Sequence, residues 1–108
     1  MTTVVHLYSV EAGEASLAGR YVRIDRQTPW GNPFVIGRDG SRARVMKLFR
    51  TWFYDDARAD FRAAAAQALT DRVLGCWCKG SHHPTQACHG DVYVEWCDSC
   101  KERHDEPR

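Results

Sequence analysis

Residues 72–78, RVLGCWC, directly follow an alanine-rich segment, and the reading of this stretch decides the fold. Val73, Leu74, Cys76 and Trp77 crowd bulky apolar groups into a run too short for a helix, which is the pattern of a short buried strand. Side chains alternate along a strand, so Cys76 and Cys78 project to the same side. Immediately upstream, residues 56–71 (DARADFRAAAAQALTD) are built from the best helix former. Their apolar side chains recur at Phe61, Ala65, Ala68 and Leu69, which predicts a helix over 56–70 with a small-residue face. Helix passes straight into strand here, so the chain is mixed rather than all-helical.

Working outward, VVHLY at 4–8 and RYVRI at 20–24 are β-branched and aromatic runs that read as two further strands, joined by EAGEASLAG. Ser41 is placed to cap a helix over 42–54, in which Val45, Leu48, Phe49, Trp52 and Phe53 recur at three-four spacing and form the expected core stripe. Arg44, Lys47, Arg50 and Thr51 take the opposite side. The intervening DRQTPWGNPFVIGRDGS, residues 25–41, has turn chemistry: Pro33 fixes its own φ and holds Asn32 extended, so an ordered loop is expected. In HGDVYVEWCDSCKERH, residues 89–104, Val92, Val94 and Trp96 alternate as in a strand. Val92, Tyr93, Trp96, Cys97 and Cys100 equally share one helical face, and a helix over 90–103 is the reading adopted. The expected fold is therefore α/β or α+β, one domain over 1–108. It has a small three-stranded sheet (4–8, 20–24, 73–78) covered by about three helices (42–54, 56–70, 90–103) and a frayed tail from 104.

Length and charge narrow the function. A chain of 108 residues supports one core, and 44 % hydrophobic with 27 % charged residues is ordinary globular composition. Fifteen Lys and Arg against 14 Asp and Glu leave a formal charge of +1, so any contact with nucleic acid has to be local. No segment approaches the roughly 20 apolar residues of a membrane span, and MTTVVHLYSVEAGEA lacks the pattern of a secretory signal. A cytoplasmic location without a membrane partner is expected. In a reducing compartment five cysteines, an odd number, favour metal or thiol chemistry over disulfides.

Residues 75–91, GCWCKGSHHPTQACHGD, hold three of those cysteines and three of the five histidines. Three readings compete. Cys76, Cys78, Cys88 and His89 supply the four donors of a tetrahedral Zn²⁺ site from two converging segments. Alternatively, Cys88 just before a helix feels the positive end of the helix dipole and becomes a nucleophilic thiolate, with His89 as its base. The cysteines are otherwise small core hydrophobes, which is also the bland reading of the Cys97-x-x-Cys100 pair. A metal site recruiting Cys97, Cys100 or His104 is a variant of the first, and His82 and His83 read as solvated loop residues. In the WGNPF loop, Trp30, Asn32 and Phe34 suit a pocket for an aromatic heterocycle, or else cap the core while Asn32 serves its own turn. Arg20, Arg23, Arg38 and Arg42 flank that loop and suit an anionic ligand such as phosphate, or form a solvated face.

Residues 28–53, TPWGNPFVIGRDGSRARVMKLFRTWF, followed by LGCWCKGSHHPTQACHGDV at 74–92, resemble domain-of-unknown-function family 4326, small proteins of bacteria and their phages. The resemblance covers about residues 20–95. It departs from the usual pattern in a longer loop holding His82 and His83 and in the added CDSCKERH. It implies a fold and a site but no activity. The functional expectation is a small zinc-binding protein that binds or processes a nucleotide or nucleic acid. Two alternatives stand beside it: a non-catalytic module with a structural metal that docks on a protein, in the host cytoplasm if phage-encoded, and a cysteine-thiol enzyme. No paired carboxylates, phosphate-cradling glycine loop or Ser/His/Asp set decides whether the chain is an enzyme.

Overall fold

The strand around Val73 is the centre of the sheet. The computed structural model describes residues 2–76 and 88–105, with side chains through residue 101. In chain order the elements are β1 (Thr3–His6), α1 (Val10–Leu17), β2 (Tyr21–Arg23), α2 (Arg42–Phe53), a 3₁₀ turn (Asp56–Arg58), α3 (Ala59–Leu69), β3 (Val73–Cys76) and α4 (His89–Asp105). The strands lie in the order β1-β3-β2, and both pairings are parallel. Thr3 faces Val73 on one side of β3, and Tyr21 faces Val73 on the other. A central parallel strand is covered on both faces, which is why Val73–Cys76 carries no polar side chain and why Leu74 and Cys76 are fully buried.

Parallel strands cannot be joined by a tight hairpin; each needs a crossover. The connection from β1 to β2 passes β3 in one direction, and the connection from β2 to β3 returns. Right-handed crossovers therefore put α1 on one face and α2 with α3 on the other. The packing agrees: α1 lies against all three strands, whereas α2 and α3 lie against α4. Here the structure corrects the sequence reading, which treated EAGEASLAG as a plain connection and expected about three helices. Ser9 caps α1, its Oγ accepting from the Ala12 N–H at 3.1 Å, and Gly19 follows the helix at φ +73°. The helix went unseen because it buries only Ala12 and Ala15, so it has no stripe of large apolar residues to reveal a period.

Other boundaries also shift. β1 ends at His6 rather than at residue 8, since Leu7 and Tyr8 already turn into the Ser9 cap. The helix expected from 56 begins as a 3₁₀ turn, with the Asp55 carboxylate accepting from Ala57 N–H at 2.9 Å. Trp77, Cys78, His82 and His83 lie outside the described residues. The α2 stripe is narrower than its sequence suggests: Val45, Phe49 and Phe53 are buried, while Leu48 on its flank is half-buried. On α3, Ala65 and Leu69 are buried, but Ala68 is exposed. Leu48→Ala is accordingly expected to cost about 1 kcal/mol in urea unfolding, below the roughly 2–5 kcal/mol of a fully buried leucine. A loss inside that higher range would place Leu48 in the core.

The main core lies between the sheet and α2–α4. Phe49, Phe53 and Tyr93 meet there, with Phe53 and Tyr93 edge to face at 5.3 Å between ring centroids. The Tyr93 hydroxyl donates to the Trp30 carbonyl at 2.9 Å, which satisfies the phenol and ties the WGNPF loop to α4. Burial pushes Tyr93 far above the ordinary phenol range, so it stays a neutral donor. Tyr93→Phe is expected to cost about 0.5–1.5 kcal/mol, or up to about 3 kcal/mol if the orphaned carbonyl stays dry. An unchanged urea midpoint would show that this bond does not hold the loop. Among the described residues no helix is long and apolar enough to cross a membrane.

Candidate functional site

The carboxyl ends of β2 and β3, the start of α4 and the first turns of α2 enclose a cavity of about 220 Å³. Parallel sheets place ligand sites at this end, because the connections leaving the strands diverge there. Cys76 at the end of β3 and His89 at the start of α4 line the cavity on one side. Asp25, Arg26 and Gln27, leaving β2, line another, and Asn32 with Ile36 from the loop and Arg42, Val45 and Met46 from α2 complete it.

The CHGD sequence has a geometric explanation. Cys88 precedes the first helical residue, and its sulfur accepts from Gly90 N–H at 3.3 Å while the Asp91 carboxylate accepts from Cys88 N–H at 3.0 Å. This is a reciprocal N-cap close to a capping box, with the N2 amide as the donor and a sulfur where serine or threonine usually stands. His89 reaches across the sheet end, its Nε2 lying 2.6 Å from the Ile24 carbonyl. A carbonyl only accepts, so Nε2 carries a proton, and in the neutral ring the lone pair is then on Nδ1, 3.7 Å from the Cys88 sulfur. Gly90 is required by close approach: a Cβ there would stand 2.8 Å from both Ile24 Cδ1 and Val4 Cγ2. The helix start and the Gly90 N–H both favour negative charge on the Cys88 sulfur. Cys76 and Cys88 are buried, outside any disulfide, with their sulfurs 2.8 Å apart.

The WGNPF loop folds back on its own entry. At Gly31 a Cβ would meet Arg26 Cα at 2.7 Å and the Asp25 carbonyl at 2.8 Å, so a side chain is excluded. Asn32 is buried and spends its amide internally, accepting from Phe34 N–H at 2.9 Å and donating to the Val45 carbonyl at 3.3 Å. Arg26 donates to the carbonyls of Asn32 (3.1 Å) and Phe34 (3.0 Å), clamping the loop from the β2 side. Arg23 pairs with the buried Asp25 carboxylate across both oxygens. The cavity is thus lined by two arginines and one carboxylate whose charge Arg23 already balances, which suits an anion.

The structure gathers some of the expected site residues and separates others. Cys76, Cys88 and His89 come together, and Asn32 and Arg42 reach the same cavity. Trp30 and Phe34 stand apart from its lining. Trp30 is half-buried against Phe61, at 5.4 Å between ring centroids, and against Tyr93, so here it packs into the protein. Arg20 lies before β2, at the opposite end of the sheet from the cavity, and Arg38 binds Asp39 and the Pro33 carbonyl. Hydrogen bonds from Val35 N–H and then Arg38 hold the Asp39 carboxyl below the usual carboxylate range. The stability this adds is complete above the ordinary aspartate range and is lost as pH falls through the lowered value, so Asp39→Asn should flatten that acid limb. An unchanged acid limb would discount these bonds.

Cys97 is buried in the contact with α3, where burial pushes its thiol up, and Cys100 is half-buried one turn further on. Cys97 is expected to react with an alkylating probe at least about tenfold more slowly than Cys100, since only the accessible thiolate attacks. Equal rates would bring Cys97 out of the core. Asp25, Arg26 and Gln27 were not singled out by sequence reasoning. The signal was faint: their place follows from leaving a parallel strand at its carboxyl end, which no local pattern reveals. Among the described residues no group of three or more His, Cys, Asp or Glu is arranged to hold a metal ion.

A three-layer parallel α/β protein with a cysteine-histidine cluster set in an arginine-lined cavity is what this fold and site define. Residues 10–99 match the model of the family described as Domain of unknown function (DUF4326), and the chain belongs to that family. No curated protein and no solved structure matches it.

Proposed function

We propose that the protein is a thiol-dependent enzyme acting on a small anionic ligand of the nucleotide class. The observation that carries this reading is a single cavity onto which Cys76, His89 and Arg42 all open. Arg42 and the remaining donors of Arg26 bind the anionic group, orienting the ligand toward the sulfur. His89 Nδ1 accepts a proton from Cys88, and the helix start and the Gly90 N–H stabilise the sulfur anion left behind. Cys76, in contact with that anion and facing the cavity, gives its own proton to the Cys88 sulfur and becomes the thiolate nucleophile presented to the ligand.

Zn²⁺ is the second reading, favoured by one observation: a ligating histidine typically gives its other N–H to a carbonyl, as His89 does to Ile24. The 3.7 Å between Cys88 Sγ and His89 Nδ1 fits the roughly 3.5 Å expected across a tetrahedral zinc ion. The 2.8 Å between the sulfurs does not, since two thiolates on one zinc stand about 3.7 Å apart. Cys76 would have to move outward for a metal to enter.

A nucleotide library screened by thermal shift, with iodoacetamide labelling of Cys76 as the second readout, tests the proposal. A ligand should raise the melting temperature and protect Cys76, and Arg42→Ala should weaken its binding by about tenfold or more, the loss of a charge-assisted contact. No hit, or a hit indifferent to Arg42 and Cys76, would overturn it. One zinc per chain in tag-free protein, lost in Cys88→Ser and kept in Cys97→Ser, would establish the metal reading instead.

A further inference from the structure

The Cys76 and Cys88 sulfurs are closer than a non-bonded contact requires and further apart than a bond. At 2.8 Å they need to approach by less than about 1 Å to reach the roughly 2.0 Å of a disulfide. They come from different elements, the end of the central strand and the cap of α4, so a bond between them would staple the sheet to the last helix. One of them faces an open cavity while the other stands behind it, held by the Gly90 N–H and the helix start. That division matches the two roles of thiol oxidation: one sulfur takes the oxidant, and a neighbouring thiolate resolves the product.

We propose that Cys76 and Cys88 form a reversible disulfide when hydrogen peroxide enters the cavity, and that this bond switches the site off. The pair shares a single proton. With that proton on Cys88, the Cys76 thiolate attacks the distal oxygen of the peroxide and the O–O bond breaks. The departing hydroxide takes the proton from Cys88 and leaves as water. Cys76 is now a sulfenic acid and Cys88 a thiolate. Cys88 attacks the Cys76 sulfur, the S–O bond breaks, and a second hydroxide departs. Two thiol sulfurs have given up two electrons, and hydrogen peroxide has become water and hydroxide. A thiol reductant reverses the step by exchange through a mixed disulfide. The closed form has no thiolate to present to a ligand, so the regulation rests on the thiol reading of the site, whereas the bond itself requires only the two sulfurs and the cavity.

Full-length reduced protein is treated with a small excess of hydrogen peroxide, alkylated and measured by intact and fragment mass spectrometry. The expected product has lost two hydrogens, carries a link between Cys76 and Cys88, and regains all its thiols in dithiothreitol. Because Cys78 shares a tryptic peptide with Cys76, the Cys78→Ser protein is run beside it and should form the same link. Cys88→Ser should leave Cys76 as a sulfenic acid that dimedone traps, and Cys97→Ser should behave as the parent chain. A link confined to Cys78, Cys97 or Cys100, or oxidation of Cys76 that stops at the sulfinic acid in the parent chain, overturns the proposal. Ligand binding is measured on the same samples. A link that forms in a protein with no ligand would sink the functional reading and leave the disulfide standing, while binding unaffected by the link would remove the switch.

Discussion

Phe49→Ala is expected to cost about 3–5 kcal/mol, the range for deleting a fully buried aromatic ring. The ring has no exposed surface and touches Phe53, Tyr93 and His89, the last edge-on at 5.5 Å between centroids. Its neighbours come from α2 and α4, which are fixed by the sheet below them, so the cavity left behind cannot close by local collapse. The same deletion removes the support behind the His89 imidazole. Urea unfolding should show the lost stability, and the rate of Cys76 alkylation should change with it because His89 positions the neighbouring sulfur. A cost under about 1 kcal/mol would mean that α2 presents a different face to the core.

Gly90→Ala sets two effects against each other. Alanine is the better helix residue by up to about 1 kcal/mol, and the position is in the first turn of α4. Against this, the new Cβ stands 2.8 Å from Ile24 Cδ1 and Val4 Cγ2, inside the contact distance of side chains on β1 and just after β2. Overpacking of this kind costs about 1–3 kcal/mol, so the steric term should win and the net effect is destabilising. The shift also pulls His89 from the Ile24 carbonyl, releasing its Nδ1 from the Cys88 sulfur. The variant should therefore lose stability in urea and change its thiol reactivity together. A gain in stability would show that α4 does not approach the sheet so closely.

Local pattern carried much of the fold. The apolar run at Val73–Cys76, the Ser41 cap, the Phe49 stripe and the helical face of Val92, Tyr93 and Cys97 all declare themselves within a few residues, because burial against a sheet or a helix imposes periods of 2 or 3.6 on the chain. Asn32 was open to two readings, a turn residue or a ligand contact, and its side chain does serve the backbone two positions on while it also lines the cavity. α1 was not legible, since a helix that buries two alanines leaves no periodic mark.

What the sequence determined by itself was the mixed α/β class, most of the elements, and the expectation that Cys76, Cys88 and His89 belong together with Cys78, which lies outside the described residues. The tertiary structure decided the rest. It set β3 between β1 and β2, which no local signal orders, because pairing partners are chosen by crossovers that span tens of residues. It turned Trp30 into the protein and Arg20 to the far end of the sheet, and it brought Asp25 and Arg26 to the cavity beside Arg42. A side chain's type is written in the sequence, but the site it serves depends on which strand ends lie side by side, and that is settled only when distant segments pack.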